Sequence, residues 1–106
     1  MYKLTVERGE SVGMVYLLKA GENTLGRSRS ATCKLQAGDV SGVHAKIVVE
    51  GGVARLENLS QYGTRLDDAA VKDAVELKLG QRIMVGKSTV LLVGEADASD
   101  EAPTGD

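Results

Sequence analysis

Apolar and polar side chains alternate with period two from the start of the chain. Tyr2, Leu4 and Val6 point one way and Lys3, Thr5 and Glu7 the other, which is the pattern of a half-buried strand. Arg8 to Gly13 reads as a turn, Met14 to Leu18 as a second strand, and Lys19 to Asn23 as another turn. A short strand, Asn23 to Leu25, ends at Gly26. Two polar, small-residue loops follow, Gly26 to Thr32 and Gln36 to Val43, separated by a strand edge at Cys33 to Leu35. His44 to Glu50 is the clearest strand, with Ala45, Ile47 and Val49 on one face and Lys46 and Glu50 on the other. Gly51-Gly52 predicts a tight primed turn into an antiparallel return, Val53 to Asn58.

The second half continues in the same way. Leu59 to Gly63 is a third loop, Thr64 to Leu66 is short and extended, and Asp67 to Ala70 is a turn. Strands are expected at Gln81 to Gly86 and Thr89 to Val93. Ala69 to Leu79 comes closest to a helical stripe, through Val71, Ala74, Val75 and Leu79, but its valines and flanking turn signals favour extended structure. Many short strands with regular turns predict an all-β sandwich. Core candidates are Val15, Leu17, Ile47, Val49, Leu56, Ile83, Val85, Leu91 and Val93. After Gly94 the texture changes: residues 95–106 lack any large apolar side chain, carry acidic groups and hold the single proline. They are expected to form an acidic disordered tail or the start of a linker, leaving residues 1–94 as the folded domain.

Composition narrows the function classes. Of 106 residues 42% are hydrophobic but only 3% aromatic, so the core must be aliphatic. A net charge of -2 argues against general nucleic-acid binding, whose affinity rests on neutralising phosphates. One cysteine, Cys33, excludes an internal disulfide, and with one histidine it makes no metal-ligand set; Cys33 reads as inert core. The longest apolar run near either end, Thr89 to Gly94, is far short of the ~20 residues that span a bilayer, and no signal-peptide block is present. No cofactor and no membrane insertion are expected, and a cytoplasmic setting is. Asp39, Ser41 and His44 lie too close in sequence for a hydrolase triad, and nothing signals an oxyanion hole. No enzymatic activity is expected.

Four pieces in order carry a resemblance: Gly26-Arg27-Ser28; Ser41-Gly42-Val43-His44-Ala45-Lys46-Ile47; Leu59-Ser60-Gln61-Tyr62-Gly63-Thr64; and Leu79-Gly80-Gln81-Arg82-Ile83-Met84-Val85-Gly86. Together they resemble a forkhead-associated (FHA) domain, over about residues 2 to 94. The resemblance implies a twisted sandwich of two sheets (FHA/SMAD-like) with the ligand loops at one end, and recognition of a phosphothreonine peptide. It implies that Arg27 contacts the phosphate and that Ser41 donates to it. Gly42, Arg29, Gln61 and Tyr62 complete the expected phosphopeptide-binding set, with Arg29 and Arg65 as nearby loop cations. His44 is expected to brace its loop by hydrogen bonding, Gly26 and Gly63 to serve backbone geometry, and Thr64 to fix the third loop.

The sequence also departs from the family. Gly42 stands where a long or polar donor is usual after the loop serine. Tyr62 stands where an Asn usually grips the peptide backbone, and Asp67 and Asp68 replace an Asn and Gly. Ligand-facing positions are thus lost while scaffold positions are kept. Two functions follow as expectations. One is a module that binds a phosphothreonine-containing protein, such as a Ser/Thr-kinase substrate, in signalling. The other is an interaction or assembly domain that has lost phosphopeptide binding.

Overall fold

Cross-strand register decides which face of each strand is buried. The computed structural model describes residues 2–96, and within them eleven strands and no helix occur. The first sheet has the order β2-β1-β11-β10-β7-β8, from β1 (Tyr2–Arg8), β2 (Val15–Leu17), β7 (Thr64–Leu66), β8 (Ala69–Ala70), β10 (Arg82–Val85) and β11 (Thr89–Glu95). The second has the order β4-β3-β5-β6-β9, from β3 (Gly21–Gly26), β4 (Cys33–Lys34), β5 (Ala45–Glu50), β6 (Val53–Asn58) and β9 (Val75–Glu76). All pairings are antiparallel except β3 with β4. The protein is therefore an all-β sandwich, as its alternation predicts.

The core is aliphatic. Leu4, Val6, Ile83, Val85, Leu91 and Val93 project from the first sheet onto Leu25, Ala45, Ile47, Ala54 and Leu56 of the second, all buried. Each fully buried Leu, Ile or Val contributes about 1.5–3 kcal/mol relative to exposure. Two of the expected core residues are not core. Val15 is 41% exposed and Leu17 only partly buried. The register explains why: Tyr16 pairs with inward-facing Leu4, whereas Val15 and Leu17 pair with outward-facing Thr5 and Lys3. Tyr16 packs on the core instead, and its hydroxyl donates to the Lys34 carbonyl.

Several boundaries shift. The third strand begins at Gly21, inside the turn expected at Lys19 to Asn23, because Gly21 to Leu25 pair with β5. The β7–β8 turn is only Asp67-Asp68, both with positive φ (48° and 72°), while Ala69–Ala70 is strand rather than turn. The strand after His44 starts at Ala45. The last strand runs to Glu95, which pairs with Tyr2, one residue past the expected domain boundary. The expected acidic tail otherwise lies outside the described residues. Gly51 and Gly52 have φ of 58° and 81°, the primed turn that their sequence calls for. Among the described residues no helix is long and apolar enough to cross a membrane.

Candidate functional site

The loops β3–β4, β4–β5 and β6–β7 meet at one end of the sandwich, where β3 and β6 finish and β5 and β7 begin. They are bonded to one another rather than merely adjacent. Arg27 N–H donates to the Ser41 carbonyl and Ser28 N–H to the Gly42 carbonyl, both at 3.0 Å. Gly26 is required by this approach: a Cβ there would lie 2.1 Å from the Gly42 carbonyl oxygen and 2.8 Å from that of Ser41. No L side chain fits, so the glycine sets how closely the two loops pass.

His44 is fully buried and ties the second loop to the third. Ser41 N–H donates to Nδ1 at 3.1 Å, so the ring hydrogen sits on Nε2, which reaches the Gly63 carbonyl at 2.7 Å. Burial depresses the imidazole pKa, against the smaller opposing effects of the Gly63 bond and the Asp39 charge. The third loop is held from within. Asn58 Oδ1 accepts from Thr64 Oγ1 at 2.7 Å and from Ser60 N–H at 3.2 Å, and Asn58 Nδ2 donates to the Ser60 carbonyl at 2.9 Å. Gly63, with φ of 87°, lets the chain turn back to β7. The Tyr62 ring stacks on His44 with centroids 6.5 Å apart while 52% of the residue stays exposed.

A further tie reaches the first sheet. The Asp39 carboxylate accepts from Lys87 N–H at 2.5 Å and from Ser88 Oγ at 3.0 Å. The Lys87 backbone bond, seconded by Ser88, lowers its pKa. A Cβ on Gly86 would sit 2.4 Å from the Asp39 carbonyl oxygen, so this contact too depends on a glycine. The β4–β5 loop is thus clamped on both sides, by β3–β4 and by the β10–β11 turn.

The structure brings together most of the expected site. Arg27 is exposed, and its Nε donates to the Val40 carbonyl at 2.7 Å. That bond aims the guanidinium, and among the described residues no carboxylate pairs with it. Ser41 lies half-buried on the adjoining loop, with Gly42 exposed beside it. A Cβ on Gly42 would meet nothing closer than Ser28 Cβ at 4.0 Å, so the position has room for a side chain that it lacks. Arg29 and Gln61 are exposed on the first and third loops. Arg65 is not a loop cation: it lies within β7, and its Nη1 donates to the Asp68 carbonyl at 3.2 Å. Ser60, which is not among the expected site residues, places its Oγ 2.6 Å from Ser41 Oγ. No local sequence signal marks this contact, since Ser60 is one of several polar residues in its loop, with Asn58 and Gln61 beside it.

Other features lie elsewhere. A hollow of about 520 Å³ on the first sheet is lined by Glu7, Arg8, Asp67, Asp68, Arg82, Met84 and Val90, none of them an expected site residue. Its Arg82 is paired with Glu7 at 2.7 Å. Cys33 is fully buried, and desolvation pushes its thiol up to about 12, so it stays protonated as inert core. Among the described residues no cluster of His, Cys, Asp or Glu could hold a metal ion.

A two-sheet β-sandwich with three cross-bonded loops at one end defines the class: a binding-loop sandwich. Residues 23–86 match the family profile described as the FHA domain, and the chain belongs to that family. It is 32% identical over 90 residues to the FHA domain-containing protein FhaA of Mycobacterium tuberculosis; the match covers 84% of this chain and 17% of that protein's length. The solved FHA domain of FhaA, in complex with the intracellular domain of Rv3910, superposes with a TM-score of 0.79 at 32% identity, covering 88% of this chain and 99% of that one. An FHA domain solved in work on phosphothreonine-dependent interactions gives a TM-score of 0.80 at 31% identity, over 91% of this chain and 97% of that one.

Proposed function

We propose that the protein is a non-enzymatic interaction module that binds a phosphothreonine-containing partner through the loop end, in cytoplasmic signalling. The observation that carries this is Arg27. Its guanidinium is exposed, aimed by one bond to Val40 and free of any carboxylate among the described residues, on a backbone bonded to that of Ser41. A phosphate monoester carries about -1.5 to -2 charges at pH 7 and presents strong acceptors. The Arg27 Nη groups can meet it with charge-assisted bonds, and the Ser41 hydroxyl can add a neutral one. The likeness to an FHA domain studied for phosphothreonine-dependent interactions supports the same ligand. Gly42 and Tyr62 remove two donors, so Arg27 carries an unusual share of the binding. Each lost charge-assisted bond costs roughly 1.5–3 kcal/mol, so Arg27→Ala is expected to weaken a phosphothreonine peptide by about ten- to a hundredfold. Calorimetric titration of a peptide library checks this; equal binding by wild type and variant would refute it.

A second reading is favoured by a different observation. Val12, Met14 and Val15 are 59%, 49% and 41% exposed on and beside edge strand β2, whose outer side has no partner strand among the described residues. Phospho-independent docking or assembly would use this edge. A complex insensitive to phosphatase and to Arg27→Ala but lost on Met14→Glu would establish it.

A further inference from the structure

We propose that Ser60 is a positioning residue that commits the Ser41 hydroxyl to donating its hydrogen outward. The ligand in this inference rests on the phosphothreonine reading above; the hydroxyl order itself does not. A serine hydroxyl has one hydrogen and two lone pairs, so alone it can donate or accept. Ser60 Oγ accepts from the Tyr62 backbone N–H at 3.0 Å and lies 2.6 Å from Ser41 Oγ. Among the described residues no other acceptor is within reach of Ser60 Oγ, and the residue is only 7% exposed. If Ser41 donated to Ser60, the Ser60 hydrogen would be buried without an acceptor, a state that folded proteins avoid. The order that satisfies both groups runs from Tyr62 N–H to Ser60, from Ser60 O–H to Ser41, and from Ser41 O–H outward. Each bond in such a chain polarises the next.

Ser41 is half-buried on a loop whose backbone is bonded to that of Arg27, so the two residues are presented from adjoining loops. The chain converts an ambivalent hydroxyl into a fixed donor. A ligand that only accepts, such as a phosphate dianion, is then favoured over one that must donate. The backbone of Tyr62 thereby contributes to the site even though its side chain is not a grip for a peptide.

Two measurements test this. In the free protein, NMR detection of hydroxyl protons should find that of Ser60 protected from exchange and that of Ser41 exchanging rapidly; a protected Ser41 proton with a rapidly exchanging Ser60 proton would overturn the proposal whatever the protein binds. In titrations with a phosphothreonine peptide, Ser60→Ala should weaken binding about three- to tenfold in the wild-type background and leave it unchanged in Ser41→Ala. A purely structural role for Ser60 would persist in Ser41→Ala, and an equal loss in both backgrounds would also overturn the proposal. Thermal melts of each variant confirm that folded proteins are compared. If the wild type binds no phosphothreonine peptide, the functional reading fails, and the hydroxyl measurement alone decides the order of the chain.

Discussion

The two ends of the sandwich are closed by different means. At one end the chain reverses through local turns: Gly51-Gly52, Asp67-Asp68 and the turn at Gly80, each with positive φ. Cβ atoms on Gly51, Gly52 or Gly80 would meet open space, and the side-chain tie found here is local to one hairpin layer, Arg82 N–H donating to Asp67 Oδ1 at 2.9 Å. At the other end three loops distant in sequence hold each other through Gly26, His44 and Ser60, while Asn58 and Thr64 fasten the third from within and Asp39 ties the second to the β10–β11 turn. Of the buried polar residues, His44, Ser60, Thr64 and Thr89 lie at that end, and Asn23 is the exception. The turn end needs residues that adopt a conformation, helped by single side-chain-to-backbone bonds at Asp67 and Gln81. The loop end needs a set of mutually satisfied groups, which fixes the place of side chains such as Arg27 and Ser41 that themselves contribute little to stability.

This contrast can be broken most forcefully with glycines. Gly26→Ala is expected to destabilise the fold by at least about 3 kcal/mol, because the added methyl collides with backbone rather than with a movable side chain. Gly51→Ala, where only φ is strained, should cost about 1 kcal/mol. Urea denaturation of both variants checks the ratio, and similar costs would erase the distinction.

Acid should affect the loop end next. His44 has a depressed pKa in the folded state, so between that value and the unfolded value of about 6.5 the unfolded chain binds more protons. Its contribution to stability is complete above about pH 6.5 and is lost as pH falls towards the folded pKa, by at most about 1.4 kcal/mol per pH unit. Denaturation midpoints between pH 7.5 and 5 should fall in wild type more steeply than in His44→Gln, whose overall stability is lower. The smallest effect belongs to the turn end. Asp68, at φ 72°, should be replaced by Gly with a gain of about 0.5–1 kcal/mol and no change in ligand binding. A thermal melt reads the gain.

The two ends also differ in how far they can be read from sequence. Alternation in β1, β5 and β6 and the Gly51-Gly52 turn disclose their geometry because strand period and turn φ are local properties. Val15 and Leu17 mislead because period two states that faces alternate and not which face a partner strand will cover. At the loop end, Arg27, Ser41 and His44 stand out only through the resemblance. Leu35 and Val40 are completely buried although both lie in the β4–β5 loop, which folds back over the core's open end. The Asp39 clamp on Lys87 and Ser88 and the Ser41–Ser60 contact join residues 48, 49 and 19 positions apart. No local pattern records such pairings. Arg65 reads as a loop cation from its charge, but the short strand β7 engages it with its own turn.

The central claim is that ligand recognition belongs to the cross-bonded end. It is tested most directly by backbone amide NMR of the labelled protein during titration with a phosphothreonine peptide. Shifts are expected at Arg27, Ser28, Gly42, Gln61 and Tyr62, with Gly51, Gly52, Asp67 and Asp68 unmoved and the dephosphorylated peptide without effect. Shifts confined to Val12, Met14 and Val15, or the same shifts with and without phosphate, would contradict it.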